Sequence, residues 1–229
     1  SAPAGSGKTS LAAAWLSVLD SDFRVAWLSL DGEDNDPPRF FAYLVAALRT
    51  VDRQIGQEAL RLLERAPSLP AEPLVTSLIN DVAGLALAVI LVLDDYHVIK
   101  TPPIHQQLTF LLDHLPPQLH LVILTREDPL LPIARLRARG QVLEIRQEDL
   151  RFTAGETADF LRNLMGLSLS LDEIATLERR TEGWIAGLQL AALSMRGLGD
   201  TAGFIKSFTG SHHFVLDYLL AEVLQQQSE

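Results

Sequence analysis

Residues 88–93 read AVILVL and run straight into Asp94 and Asp95. A strand apolar on both faces must be covered on both faces, and a parallel sheet sandwiched between helices does this. Two carboxylates directly after such a strand fall at the carboxyl edge of the sheet, where open α/β sheets bind ligands. The flanking sequence agrees. Residues 8–19 are rich in Ala, Leu and Trp with no breaker and predict a helix. Residues 24–30 (RVAWLSL) predict a short strand. Residues 31–36 form an acidic loop, and Asp36 followed by Pro37 marks a capped helix start. That helix sets Phe40, Phe41, Leu44, Val45 and Leu48 on one face. A polar, Pro-containing stretch near 67–73 separates it from a helix over 74–82. Residues 104–115 carry a helical stripe of Ile104, Leu108, Leu111, Leu112 and Leu115. Residues 120–125 (HLVILT) predict another buried strand, and 142–145 a last one.

After Phe152 the alternation stops. Residues 153–164, 171–180, 182–196, 202–208 and 213–226 all read as helices. The expected organisation is an α/β domain over residues 1–147 and a smaller all-helical domain over 148–229.

Residues 2–9 read APAGSGKT, an A-x-x-x-x-G-K-T sequence that matches the phosphate-binding P-loop except for Ala2 in place of glycine. Gly5 and Gly7 let the backbone curl so that N–H groups converge on phosphate oxygens. The helix that follows adds its positive N-terminal end. Lys8 is placed to reach the β- and γ-phosphates, and the Thr9 hydroxyl to bind Mg²⁺. The alternative is a glycine-rich turn before a helix, with the lysine there by chance. Asp94, about 85 residues further on, would hold Mg²⁺, and Asp95 would orient an attacking water. The alternative for that doublet is a strand ending in a polar turn, with Asp95 capping the next segment, and the upstream loop favours the nucleotide reading. Thr125 and Arg126 end the next apolar strand, so Arg126 is a candidate γ-phosphate contact; a surface arginine paired with Glu127 or Asp128 is its alternative. Arg135, Arg137, Arg139, Arg146 and Arg151 read mostly as a solvated face. His97, His105, His114 and His120 lack metal-ligand spacing and read as structural. The pair His212 and His213 reads as capping or exposed.

Composition narrows the classes. The chain of 229 residues has no cysteine, which removes disulfides, thiolate metal sites and cysteine nucleophiles together. Its 29 acidic and 19 basic side chains give a formal charge of -10, which repels nucleic acid and anionic membranes. The longest apolar stretch, 85–93, is about half of what a membrane-spanning helix needs, and residues 1–9 do not form a signal peptide. The expectation is a cytoplasmic protein with no membrane partner. The chain opens inside the loop and without Met, so a piece of a longer protein, lacking the strand that precedes a P-loop, is also expected.

The segments APAGSGKTSLAAAWL, VAWLSLDGEDNDPPRFFAYLVAALR, LVLDDYHVI, LVILTREDPLLPIARLRARGQVLEI and TEGWIAGLQLAAL resemble the ATPase module of MalT-like, LuxR-type transcriptional activators. These are STAND ATPases, related to the NACHT and NB-ARC switches, and the resemblance covers essentially the whole chain. It implies an ASCE-type P-loop NTPase sheet with flanking helices, followed by a helical domain. It makes Gly5, Ser6, Gly7, Lys8, Thr9 and Ser10 the nucleotide-binding set, Thr9 and Asp94 the Mg²⁺ ligands, Asp95 the water-positioning carboxylate and Arg126 the γ-phosphate sensor. Related switches pack a Gly-x-Pro segment on adenine. The nearest match here, Gly187-Leu188-Gln189, lacks the proline, which leaves adenine recognition through residues 184–189 open.

The resemblance further implies an ATP/ADP switch with slow hydrolysis and the nucleotide between the two domains. It implies self-association on ATP binding in the full-length protein, an inducer sensed elsewhere, and DNA contact only through a domain outside this chain. The alternative is a P-loop ATPase or kinase with fast turnover.

Overall fold

The structure is a computed structural model that describes residues 1–65, 72–196 and 201–208. The chain divides into two compact units. The first holds Thr9–Glu144, and the second holds the chain from Ile145 onward together with Ala2–Lys8.

The first unit is built on three parallel strands in the order β1-β2-β3: β1 (Phe23–Ser29), β2 (Ala88–Asp94) and β3 (Leu119–Ile123). In register, Ser29 lies beside Asp94, and Leu93 beside Ile123. β2 is central and buried from Val89 onward, as its unbroken apolar run requires. The helices are α1 (Lys8–Ser17), α2 (Pro37–Arg49), α3 (Gln57–Arg65), α4 (Glu72–Ala83), α5 (Pro102–Asp113) and α6 (Ile133–Ala138). The core joins Phe40, Phe41, Leu44, Val45 and Leu48 of α2 to Val89, Leu91 and Leu93 of β2 and Ile104 and Leu108 of α5. The α2 stripe is thus the core face expected of it.

Several expectations change. β3 is shorter than residues 120–125 and only partly buried, with His120 exposed. It is a sheet edge among the described residues, so one flank lacks a neighbour. Residues 142–145 form no strand. Leu143 is 88% exposed, and Glu144 is taken by Arg137 at 2.6 Å rather than by a strand partner. Helix α3 went unanticipated. It follows Gly56, whose φ of +74° stops the preceding turn, and it buries only Ala59 completely. The acidic loop is ordered as a 3-10 turn, Gly32–Asn35. In it Asp31 caps, buried Asp34 receives Arg39 at 3.2 Å, and Asp36 caps α2.

In the second unit the described helices are α7 (Gln147–Leu150), α8 (Ala154–Asp159), α9 (Leu171–Thr181), α10 (Ile185–Met195) and α11 (Thr201–Ser207). A π turn, Phe160–Leu164, extends α8. Leu161, Leu177, Leu188, Ala191, Ala192 and Phe208 form its core. The helix expected from 182 begins instead at Ile185, because Glu182 and Gly183 adopt left-handed backbone. The helix expected over 213–226 and the pair His212–His213 lie outside the described residues.

Helices α8 and α9 start with reciprocal capping boxes, Thr153 with Glu156 and Ser170 with Glu173. The Ser170 backbone N–H and hydroxyl hold the Glu173 carboxyl below the ordinary value of 4.5. Ser170→Ala is expected to lower unfolding stability by about 1 kcal/mol, read by urea denaturation at pH 7. A carboxyl lowered in the folded state stabilises above its unfolded value and loses that effect as pH falls through its folded value. The gap between wild type and Ser170→Ala is therefore expected to hold at pH 6–8 and to narrow below pH 4.5.

Candidate functional site

The chemistry-bearing residues of the first unit gather at the carboxyl ends of β2 and β3. The Asp94 side chain closes β2 and is almost wholly buried. Its carboxylate accepts the Thr9 hydroxyl at 3.1 and 3.3 Å, from 85 residues away, and the Asp95 N–H at 3.0 Å. A buried carboxylate is tolerated only with such donors. Asp95 follows in left-handed backbone, φ 54° and ψ 34°, with its side chain 48% exposed and Oδ1 3.8 Å from His97 Nδ1.

Backbone bonds tie this turn to the tip of β3. Leu124 N–H donates to Leu93 O at 2.9 Å, and Tyr96 N–H donates to Leu124 O at 3.0 Å. The next two residues are Thr125, buried with its hydroxyl on Glu127 O at 2.8 Å, and half-buried Arg126. The structure therefore brings Thr9, Asp94, Asp95 and the strand tip carrying Arg126 to one edge of the sheet.

Two supports went unread in the sequence. Asn35 accepts the N–H groups of Lys100 and Thr101 at 2.6 and 3.2 Å and donates to Val98 O at 2.8 Å. It fastens the loop after the doublet to the acidic 3-10 turn. Tyr96 is buried, and its hydroxyl meets His105 Nδ1 at 2.7 Å. Burial pushes the Tyr96 phenol up and the His105 imidazole down. Lys100 pairs with Glu127, and that contact holds the Glu127 carboxyl below its usual range.

The glycine-rich loop belongs to the second unit. Gly5 and Gly7 have φ of +67° and +79°, the left-handed backbone for which glycine is suited. The Lys8 ammonium donates to Ala2 O at 2.7 Å and Pro3 O at 3.0 Å, and the Ser6 hydroxyl to Pro3 O at 2.9 Å. The Trp184 indole donates to Ala4 O at 3.0 Å, and the Ala186 N–H to Gly5 O at 3.2 Å. Ser10 is exposed on α1. Trp184 was legible only as part of the segment compared with an adenine-packing motif; its contact here is with loop backbone.

Other candidates stand elsewhere. Arg135 pairs with Asp113, Arg137 with Glu144 and Arg151 with Glu182. An open cavity of about 600 Å³ has Glu58, Glu72, Asp81 and Phe110 in its lining and none of the candidate site residues. Among the described residues, no group of three or more His, Cys, Asp or Glu side chains converges to hold a metal. Thr9 and Asp94 do offer two hard oxygen donors, a set that suits Mg²⁺, which completes its shell with water and phosphate.

The class of protein this defines is a parallel α/β unit with a buried carboxylate at the tip of its central strand, paired with a threonine that follows a glycine-rich loop. No protein-family model matches the chain. Over 228 residues, 97% of its length, it is 37% identical to the HTH-type transcriptional regulator MalT of Serratia proteamaculans, of which it covers 24%. It is 35% identical to the MalT regulator of Vibrio campbellii over 225 residues, again covering 24% of that protein. It is 33% identical to the serine/threonine-protein kinase PknK of Mycobacterium tuberculosis over 224 residues, 20% of that protein. The chain thus spans no more than a quarter of the length of these relatives.

The turn that carries Trp184 leaves no room for a side chain at Gly183. Its φ is +70°, and an added Cβ would lie 2.5 Å from Phe152 O and 2.9 Å from Phe152 N, both backbone atoms. Gly183→Ala is expected to destabilise by about 2 kcal/mol or more, from left-handed strain plus the backbone collision, measured by urea unfolding.

Proposed function

We propose that this chain is the ATP- and ADP-binding switch module of a MalT-like, STAND-class regulator, built as a P-loop NTPase. The observation that carries the reading is the hydrogen bond from Thr9, next after Lys8 in the loop sequence, to the carboxylate of Asp94. A phosphate loop needs that pairing, because a threonine hydroxyl and a carboxylate bridged this way can hold one Mg²⁺. The similarity to proteins named for opposite outputs, a kinase and a transcriptional regulator, also supports it. A segment common to both fits a controlling module better than either output.

Each residue then has a task. Gly5 and Gly7 curl the loop, and Lys8 leaves the carbonyls of Ala2 and Pro3 to meet the β- and γ-phosphates. Thr9 and Asp94 hold the Mg²⁺, which when bound neutralises phosphate charge. Asp95, half exposed beyond the buried Asp94, accepts a hydrogen bond from the attacking water and orients it. Arg126, two residues beyond the bonded Leu124, contacts the γ-phosphate and distinguishes ATP from ADP. Hydrolysis is slow and resets the switch. In the full-length protein, ATP favours a self-associating form, an inducer acts elsewhere, and DNA is met by other domains. A switch of this kind requires its two forms to differ in nucleotide affinity.

Lys8→Ala is expected to abolish saturable binding of a fluorescent ATP analogue in the presence of Mg²⁺. Asp95→Asn is expected to bind within about threefold of the parent, since only an exposed carboxylate changes, and to lose most of its hydrolysis. An unchanged rate in Asp95→Asn would remove its assigned role. Steady-state turnover of the parent is expected well below about 1 s⁻¹, the low end for kinases. A faster rate would favour an enzyme over a switch, and no binding at all would leave a scaffold.

A further inference from the structure

We propose that Trp184 is a positioning residue for phosphate binding: with the first turn of α10 it holds the loop carbonyls so that the loop N–H groups face the ligand. This rests on the reading of residues 2–9 as a phosphate loop. In a trans peptide the carbonyl of one residue and the N–H of the next point in opposite directions, and the described chain has no cis peptide bond. The Trp184 indole holds Ala4 O at 3.0 Å, which turns the Gly5 N–H the other way. The Ala186 N–H holds Gly5 O at 3.2 Å, which does the same for the Ser6 N–H. Two consecutive donors are thereby aimed away from α10. Among the described residues, the N–H groups of Gly5, Ser6 and Gly7 donate to no protein acceptor. An unspent row of donors over left-handed glycines is an anion nest.

The indole is itself fixed. An added Cβ on Gly187 would come within 2.6 Å of Trp184 Cε3, so the ring packs directly against a glycine. The Trp184 N–H donates to Thr181 O at 2.9 Å, and Phe152 N–H to Gly183 O at 2.9 Å, which locks the turn before it. The Lys8 ammonium has three donors, so it gives up at least one of its bonds to Ala2 O and Pro3 O to meet two phosphates, whereas the bonds to Ala4 O and Gly5 O can persist. The α10 contacts therefore keep the nest open in the bound state. A tryptophan in this arrangement serves phosphate, not the base.

The test compares Mg²⁺–ADP with tripolyphosphate, which has no base, on the full-length protein and its Trp184→Phe variant by calorimetry. Losing one hydrogen bond that favours the bound loop is expected to weaken both ligands equally, by about fivefold. A loss confined to ADP would assign Trp184 to the base and overturn the proposal, as would equal affinities in variant and parent. If the parent binds neither ligand, the phosphate-loop reading fails first and this proposal with it. A second measurement reads the ¹⁵N-labelled indole signals of the full-length protein, that of Trp184 being the one lost in Trp184→Phe, with Trp15 and Trp27 assigned by the same substitution at each. By reciprocity of coupling, saturating tripolyphosphate is expected to slow hydrogen exchange of the Trp184 indole about fivefold and to leave the other two unchanged. Unaltered exchange at Trp184 would overturn the positioning role.

Discussion

The first unit is organised around one buried charge. Asp94 ends a strand whose other residues are wholly apolar, at 4% exposure. An ionised carboxylate there costs several kcal/mol unless donors surround it. The Thr9 hydroxyl and the Asp95 N–H meet that need. The consequence is structural before it is chemical: the start of α1 is fastened to the end of β2, although 85 residues separate them. The side chains that could bind a cation are therefore placed by the demand for charge solvation during folding, before any ligand arrives.

A second consequence is strain at the next residue. Asp95 occupies left-handed backbone at a cost of about 1–2 kcal/mol. It stays there because the residues on both sides are overdetermined. Leu93 and Tyr96 are bonded to the β3 tip through Leu124, Tyr96 is buried against His105, and Asn35 holds Val98, Lys100 and Thr101. The turn lifts the Asp95 carboxylate into solvent while leaving Asp94 buried. Two adjacent, chemically identical side chains are thus given different environments by backbone geometry alone, a difference that the proposed division of roles between metal and water would use.

What the sequence made legible follows from how local each signal is. AVILVL with its doublet defined a central strand and its edge, because burial on both faces leaves no other pattern. The Asp36-Pro37 start and the α2 stripe were equally local. Residues 142–145 misled because a short apolar pair reads as a strand only if a partner strand exists, and pairing is not a local property. β3 misled in the same way: its composition suits a buried strand, but its burial depends on a neighbour. The roles of Asn35 and Trp184 were illegible. Each works by bonding backbone groups brought near by the fold, and backbone atoms leave no mark in residue spacing. The Gly187-Leu188-Gln189 match pointed to the segment that carries Trp184, but nothing in its spacing showed that the indole donates to a carbonyl of the loop.

If the chain binds a nucleotide as proposed, the net charge of -10 bears on that binding less than it first suggests. A polyphosphate and a surface carboxylate 10 Å apart in water repel by only about 0.4 kcal/mol per charge pair, and salt at physiological strength screens that further. A hydrogen bond from a loop N–H to a charged phosphate oxygen contributes about 1.5–3 kcal/mol, and the loop offers several beside the Lys8 ammonium. Short-range donors therefore decide whether an anion binds, and the distributed acidity decides what else does not. Long polyanions, which present many phosphates to the whole surface, meet the summed repulsion that a single nucleotide escapes. On the proposed reading, an acidic chain with a donor-rich loop would discriminate against nucleic acid by size, without a contact devoted to the distinction.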